Sequence, residues 1–139
     1  MIRDIKFKDK TKEDIRIGAE KVYKVVSSTM GAEGKYVAIQ DRFDVNYATK
    51  DGHYAARTIF VKDPVQNIGA SMIKEVARIT ATVAGDGTTT STVLTYKMYE
   101  KGLKAIKEKY SAVGIKKGIE LAVKQVVAEL KNNSIPLDG

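Results

Sequence analysis

The sequence predicts a mainly α-helical bundle carrying a small β-hairpin and an N-terminal strand, and three observations carry that prediction. Apolar residues recur at steps of three and four in four separate segments. Two short alternating runs, "KYVAIQ" and "VNYAT", stand close together between residues 35 and 49. Glycines and an Asp-Pro pair punctuate the periodic segments where helices would start and stop.

Each element follows from its own residues. In residues 11–30 the positions Ile15, Ala19, Val22, Val26 and Met30 share one helical face, and "STMGAEG" ends the pattern. The two strand runs meet at "DRFD", which makes residues 35–49 a hairpin with a longer loop. Asp63 followed by Pro64 reads as a capped helix start. The expected apolar face of that helix is Val65, Ile68, Met72, Val76, Ile79 and Val83, with its end at Gly85. Another helix should begin in the threonine run and carry Val93, Leu94, Met98 and Ile106 to about Tyr110. A fourth holds Ile115, Ile119, Ala122, Val126 and Leu130 and stops before Pro136. Four such amphipathic helices can share one core. Ile5 and Phe7 alternate with charged residues in a short N-terminal strand that needs an edge to pair with. Another part of a larger chain or a neighbouring subunit could complete these edges, and so could an intramolecular three-stranded sheet.

Composition removes several function classes. With 139 residues, 43% of them hydrophobic, the chain can build one domain with a core. It has no cysteine, so disulfide frameworks, thiolate metal sites and cysteine nucleophiles are excluded, and its one histidine, His53, cannot form a histidine metal cluster. No run reaches the length of a membrane span, and "MIRDIKFKDK" lacks the apolar stretch of a signal peptide. The expectation is a cytoplasmic protein without a membrane partner. The net charge of +7 invites a nucleic-acid reading, but the lysines at 97, 101, 104 and 107 are interleaved with Glu100 and Glu108, and those at 6, 8, 10 and 12 flank Asp9 and Glu13. Solvated helix faces account for this spacing, so no nucleic-acid partner is expected.

The stretch "VAGDGTTTST", residues 83–92, lies between two periodic segments. A helix starting in or after "GTTT" aims its first amides and the positive end of its dipole at the loop, where anions bind. Gly85 and Gly87 allow close backbone approach, and Thr88, Thr89 and Thr90 add short hydroxyls suited to phosphate oxygens. Asp86 would repel a bare phosphate. A Mg²⁺ ion between them removes the conflict, because Mg²⁺ takes one or two carboxylates together with phosphate oxygens. The stretch is not a Walker loop, since no G-x-x-x-x-G-K-[ST] occurs. A helix start capped by Asp86 or by a threonine explains the same residues. "TMGAEG", residues 29–34, and "TKDG", residues 49–52, could complete such a site, though each alone reads as a helix stop or a turn.

Taken in order, "TMGAEG", "TKDG", "NIGASMIKEVA", "AGDGTTTSTVL", "EKGLKAI" and "GIKKGIELAV" resemble the N-terminal half of the ATP-binding equatorial domain of chaperonins. The resemblance runs from "DIKF" to "SIP" and is closer to the group I (GroEL-like, 60 kDa chaperonin) branch, with "KDG" and an alanine before "GDGTTT". It implies an equatorial-domain-like helical fold and ATP with Mg²⁺ as cofactors. Nucleotide would be held by Thr29, Met30 and Gly31, by Lys50, Asp51 and Gly52, and by Asp86, Gly87, Thr88, Thr89 and Thr90. Asp86 matches the family's magnesium ligand. Asp51 matches a residue near the γ-phosphate that contributes to hydrolysis and is the expected catalytic residue.

The resemblance further implies identical subunits in a heptameric ring, single or double, with residues 2–7 and 36–49 forming sheets between neighbours. Unfolded client proteins and a co-chaperonin would bind through regions this chain lacks, as would the ribose and adenine. Residues 1–139 would therefore be the N-terminal part of an equatorial domain without apical and intermediate domains, inactive in ATP hydrolysis by itself. Three departures stand out: Ala32 where the family usually has proline, "GHYAAR" in place of the more usual "GVSVAR", and a more basic balance. His53 either touches nucleotide or stands beside the turn. The functional expectation is an ATP-dependent folding chaperone subunit. The alternative is a truncated, non-catalytic chaperonin-like protein that joins or blocks rings.

Overall fold

The computed structural model describes residues 9–40 and 45–136. The chain divides into two compact units, Met1–Met98 and Tyr99–Gly139. In order, the elements are α1 (Asp9–Ser28), β1 (Val37–Gln40), β2 (Asn46–Thr49), α2 (Gly52–Thr58), α3 (Pro64–Ala84), α4 (Thr88–Lys107) and α5 (Ala112–Asn132). Mainly α with one hairpin is thus the observed class. The expected N-terminal strand and the hairpin loop "DRFD" lie outside the described residues.

The first unit is built on the packing of α1 against α3. Gly18 and Gly69 let the two backbones touch: a methyl at Gly18 would lie 1.7 Å from the carbonyl oxygen of Gln66, and one at Gly69 1.9 Å from that of Ile15. The core of this unit is accordingly made of small and β-branched residues, Ala19, Val22, Val26, Ala55, Ala56, Val65, Ala70, Ile73 and Ala77. The face expected to be buried on α3 is therefore corrected. Val65 is buried, but Ile68, Met72, Ile79 and Val83 are exposed, and Gly69, Ala70, Ile73 and Ala77 face the core instead. Helix axes can approach this closely only where the side chains between them are small, so backbone proximity selected the small-residue face over the more hydrophobic one.

α4 starts in the threonine run as expected, but its buried face is corrected in the same way. Its buried residues are Thr92 and Tyr96, while Leu94, Met98 and Ile106 are exposed. Tyr96 is 1% exposed and stacks on Tyr23 of α1 with ring centroids 4.3 Å apart, and Lys97 lies over both rings. Arg16 reaches the Tyr96 hydroxyl and is held between Glu13 and Glu20. Lys24 and Arg16 together keep the Glu20 carboxyl below its ordinary value near 4.5. A depressed carboxyl stabilises the fold above that ordinary value, and the gain disappears as pH falls through the lower folded value. Glu20→Gln should therefore lower stability at pH 7 by less than about 1 kcal/mol and leave it unchanged at pH 2, as read by urea unfolding at both pH values.

The hairpin is antiparallel, with Val37 opposite Thr49 and Gln40 opposite Asn46. Among the described residues its sheet has two strands. The helix α2 was not expected; "TKDG" reads as a turn, yet Asp51 caps a helix there, and Ala55 and Ala56 bury its inner face. Asp63 caps α3 as expected, with its Oδ1 accepting from the amides of Val65 and Gln66.

The second unit holds the end of α4 and all of α5. None of the residues of α5 is buried; Ile119, Val126 and Leu130 are exposed. Between these helices Lys109 has φ 70°, and the Tyr110 amide reaches back to the Ala105 carbonyl, a left-handed helix end filled by a non-glycine residue. Lys109→Gly should stabilise this unit by about 1 kcal/mol, read as a higher urea midpoint, because the strain of a side chain at positive φ is removed.

Candidate functional site

Three segments far apart in sequence converge in the first unit. Thr29 closes the end of α1, Gly52 opens α2, and Thr89 lies in the first turn of α4. A methyl placed on Gly52 would be 2.6 Å from the Thr89 hydroxyl oxygen, 2.8 Å from that of Thr29 and 3.3 Å from Cγ1 of Val26. Glycine is thus required at residue 52 for two hydroxyls to face one point beside the backbone. The Thr29 hydroxyl also donates to the Val26 carbonyl.

The loop between α3 and α4 is a pair of left-handed glycines around a carboxylate. Gly85 has φ 76° and Gly87 φ 81°, with the Gly85 amide donating to Ala81 as the end of α3. Asp86 is exposed, and its Oδ1 accepts from the Gly87 amide at 2.6 Å. The helix start follows directly, since the Ser91 amide bonds the Gly87 carbonyl. Asp51, Asp63 and Ser111 each cap their helices through a side chain. At α4 that place belongs to Gly87, which has no side chain, and the Asp86 bond goes to the amide before the first turn. Among the described residues nothing takes up the amides of Thr88, Thr89 and Thr90, which keep their hydrogen-bonding capacity for an incoming anion, with the positive end of the helix behind them.

The other expected residues are distributed as follows. Met30 is 46% exposed and Gly31 has φ 78°, so the chain turns sharply away after Thr29. The Asp51 carboxylate is exposed, with Oδ1 tied to the amides of His53 at 2.8 Å and Tyr54 at 3.1 Å. Among the described residues no hydrogen bond engages its other oxygen. The Lys50 ammonium lies 4.9 Å from the centre of the Tyr36 ring. Thr88 and Thr89 are half-buried and Thr90 is exposed.

Two supporting residues escaped the sequence reading. The Thr80 hydroxyl lies 3.0 Å from that of Ser91, which in turn donates to the Thr88 carbonyl, so the end of α3 braces the first turn of α4. Their only sequence signal was the serine and threonine content of "TATVAGDGTTTST". Among the described residues no three His, Cys, Asp or Glu side chains come together as a cation site. A divalent ion at Asp86 would therefore need further oxygens from a bound ligand, which is the donor set that suits Mg²⁺ with a polyphosphate.

A family model, that of the TCP-1/cpn60 chaperonin family, matches residues 22–138. Among solved structures, the chaperonin gp146 from the bacteriophage EL 2 (Pseudomonas aeruginosa), crystallised in presence of ATP-BeFx, superposes with a TM-score of 0.78 at 29% sequence identity. The match covers 94% of this chain and 22% of that chain, so the chain spans less than a quarter of the phage chaperonin's length.

Proposed function

The chain belongs to the TCP-1/cpn60 chaperonin family, and we propose that it supplies the phosphate-binding half of a chaperonin ATPase site together with part of the surface that assembles subunits. The single observation that carries this reading is the convergence of Thr29, Gly52 and Thr89, one residue from each of the three motif segments, on one point. The free first-turn amides of α4 and the hydroxyls of Thr88, Thr89 and Thr90 would bind phosphate oxygens, and Asp86 would hold Mg²⁺ against them. Bound there, the ion neutralises phosphate charge. Asp51, its orientation set by the His53 and Tyr54 amides, has a carboxylate oxygen left to orient a water near the terminal phosphate. Met30, Gly31 and Lys50 would line the nucleotide beside these groups.

Residues 1–139 would then act as the N-terminal part of an equatorial domain. The exposed apolar face of α3, Ile68, Met72, Ile79 and Val83, supports this, because it needs cover from other parts of a longer subunit. In that subunit the site would drive an ATP-dependent folding cycle in a ring of identical chains acting on unfolded clients. Among the described residues the sheet has two strands, an arrangement that suits pairing between neighbours. A non-catalytic protein that joins or blocks rings would use the same edges without needing the converged hydroxyls.

Amide NMR of the 139-residue chain titrated with ATP and Mg²⁺ tests the assignment. The expected result is Mg²⁺-dependent shifts at Thr29, Gly52 and Gly87–Thr90, lost in Gly52→Ala, whose methyl pushes the two hydroxyls apart. No shift in these three segments at millimolar MgATP would reject the site.

A further inference from the structure

A second polar feature of the first unit lies apart from the residues assigned to nucleotide. A cleft of about 590 Å³ between α2 and the face of α3 opposite its core is lined by His53 and Arg57 from α2, and by Ser71, Lys74, Arg78 and Thr82 among others from α3. None of Thr29, Gly52, Asp86 or the threonine run contributes to it. Its volume falls within the range of small-ligand sites.

The charges of this cleft are not balanced. It contains three cations and one carboxylate, and that carboxylate, Glu75, is taken by Arg78 through two hydrogen bonds of 2.8 and 2.6 Å. Among the described residues no carboxylate pairs with Arg57 or Lys74. Lys74 is half-buried, its ammonium donating to the Ile59 carbonyl, and the burial pulls its pKa down. A partly desolvated ammonium without a counter-ion favours a site that gains an anion. On the facing helix, Nδ1 of His53 is buried and has no hydrogen-bond partner among the described residues. Polar atoms in that state are uncommon in folded proteins and mark a place where a ligand group or water is accommodated.

We propose that this cleft is a second anion site, in which Arg57, Lys74, Arg78 and His53 hold a small, multiply charged oxyanion of the phosphate-chain class. The length of the lining selects the class. From Ser71 to Thr82 the helix rises about 16 Å, which suits several linked phosphates better than one. Arg57 and Arg78 offer planar forks to paired oxygens, and Lys74 a point charge between them in sequence. This inference does not depend on the nucleotide site, because its three cations take no part there and His53 is shared only through its amide, which orients Asp51.

Inorganic tripolyphosphate, without Mg²⁺, is the probe. Titrated into the 139-residue chain, it should give saturable amide shifts in residues 53–57 and 71–82. Lys74→Gln and Arg57→Gln should each weaken that binding about tenfold, the effect of losing one charge-assisted hydrogen bond. Arg57 is exposed, so its substitution leaves the fold intact if Lys74→Gln does not. Asp86→Ala should leave these shifts unchanged. Shifts confined to residues 85–90, no saturation at millimolar probe, or equal affinity in the wild type and Arg57→Gln would each overturn the proposal.

Discussion

Gly69→Ala is expected to cost the first unit about 3 kcal/mol or more, a large share of the stability of an ordinary domain. The methyl it introduces would meet the carbonyl oxygen of Ile15 at 1.9 Å and the Ala19 amide nitrogen at 3.0 Å. Both are backbone atoms of α1, which cannot swing aside as a side chain can. The helices must separate, and that opens the contacts of Ala19, Val22, Ala70 and Ile73 together. Gly18→Ala should do the same from the other helix, where the obstacle is the Gln66 carbonyl at 1.7 Å. Because the two changes force apart one interface, the double variant should lose much less than twice the single loss. Gly118→Ala is the control: it lies inside α5 with nothing within 4 Å of the added methyl, and should stabilise that helix by about 1 kcal/mol. Urea unfolding followed by circular dichroism measures all four. A Gly69→Ala midpoint close to wild type would mean that α1 and α3 do not pack as described.

Asp86→Ala should separate the two possible roles of its carboxylate by the sign of its effect. If Asp86 holds Mg²⁺ against phosphate, its loss weakens ATP binding in the presence of Mg²⁺ at least about tenfold. Without Mg²⁺ the same substitution should tighten ATP binding, because a like charge beside the phosphates is gone. A merely structural aspartate would weaken binding in both conditions. Its hydrogen bond to the Gly87 amide is on an exposed loop, so little stability is at stake. Titration calorimetry with and without Mg²⁺ gives both numbers. Equal affinity for MgATP in the two proteins would remove Asp86 from the site.

The site was legible in the sequence to the extent that its chemistry is local. Glycines at 85 and 87, a carboxylate between them and a helix start after them are properties of six consecutive residues, and the left-handed backbone of both glycines follows from their having no side chain. The "KDG" segment was legible as a position but not as a structure. Asp-Gly reads first as a turn, whereas here Asp51 caps α2 and the two alanines that follow pack inward. The cleft at Arg57 and Lys74 gave no sequence signal at all, since its residues come from two helices whose pairing depends on the fold.

By itself, the sequence determined where α3 begins and ends, where α4 begins, and which loop is proposed to bind an anion, because caps, helix stops and glycine turns act over a few residues. Only the tertiary structure decided which face of each helix is buried. The periodic pattern on α3 marked its most hydrophobic stripe, Ile68, Met72, Ile79 and Val83, yet the close backbone approach at Gly18 and Gly69 turned the small-residue stripe inward and left the larger one exposed. Hydrophobicity sets how much a face gains from burial, but steric fit sets how near two helices can come, and here the second outweighed the first.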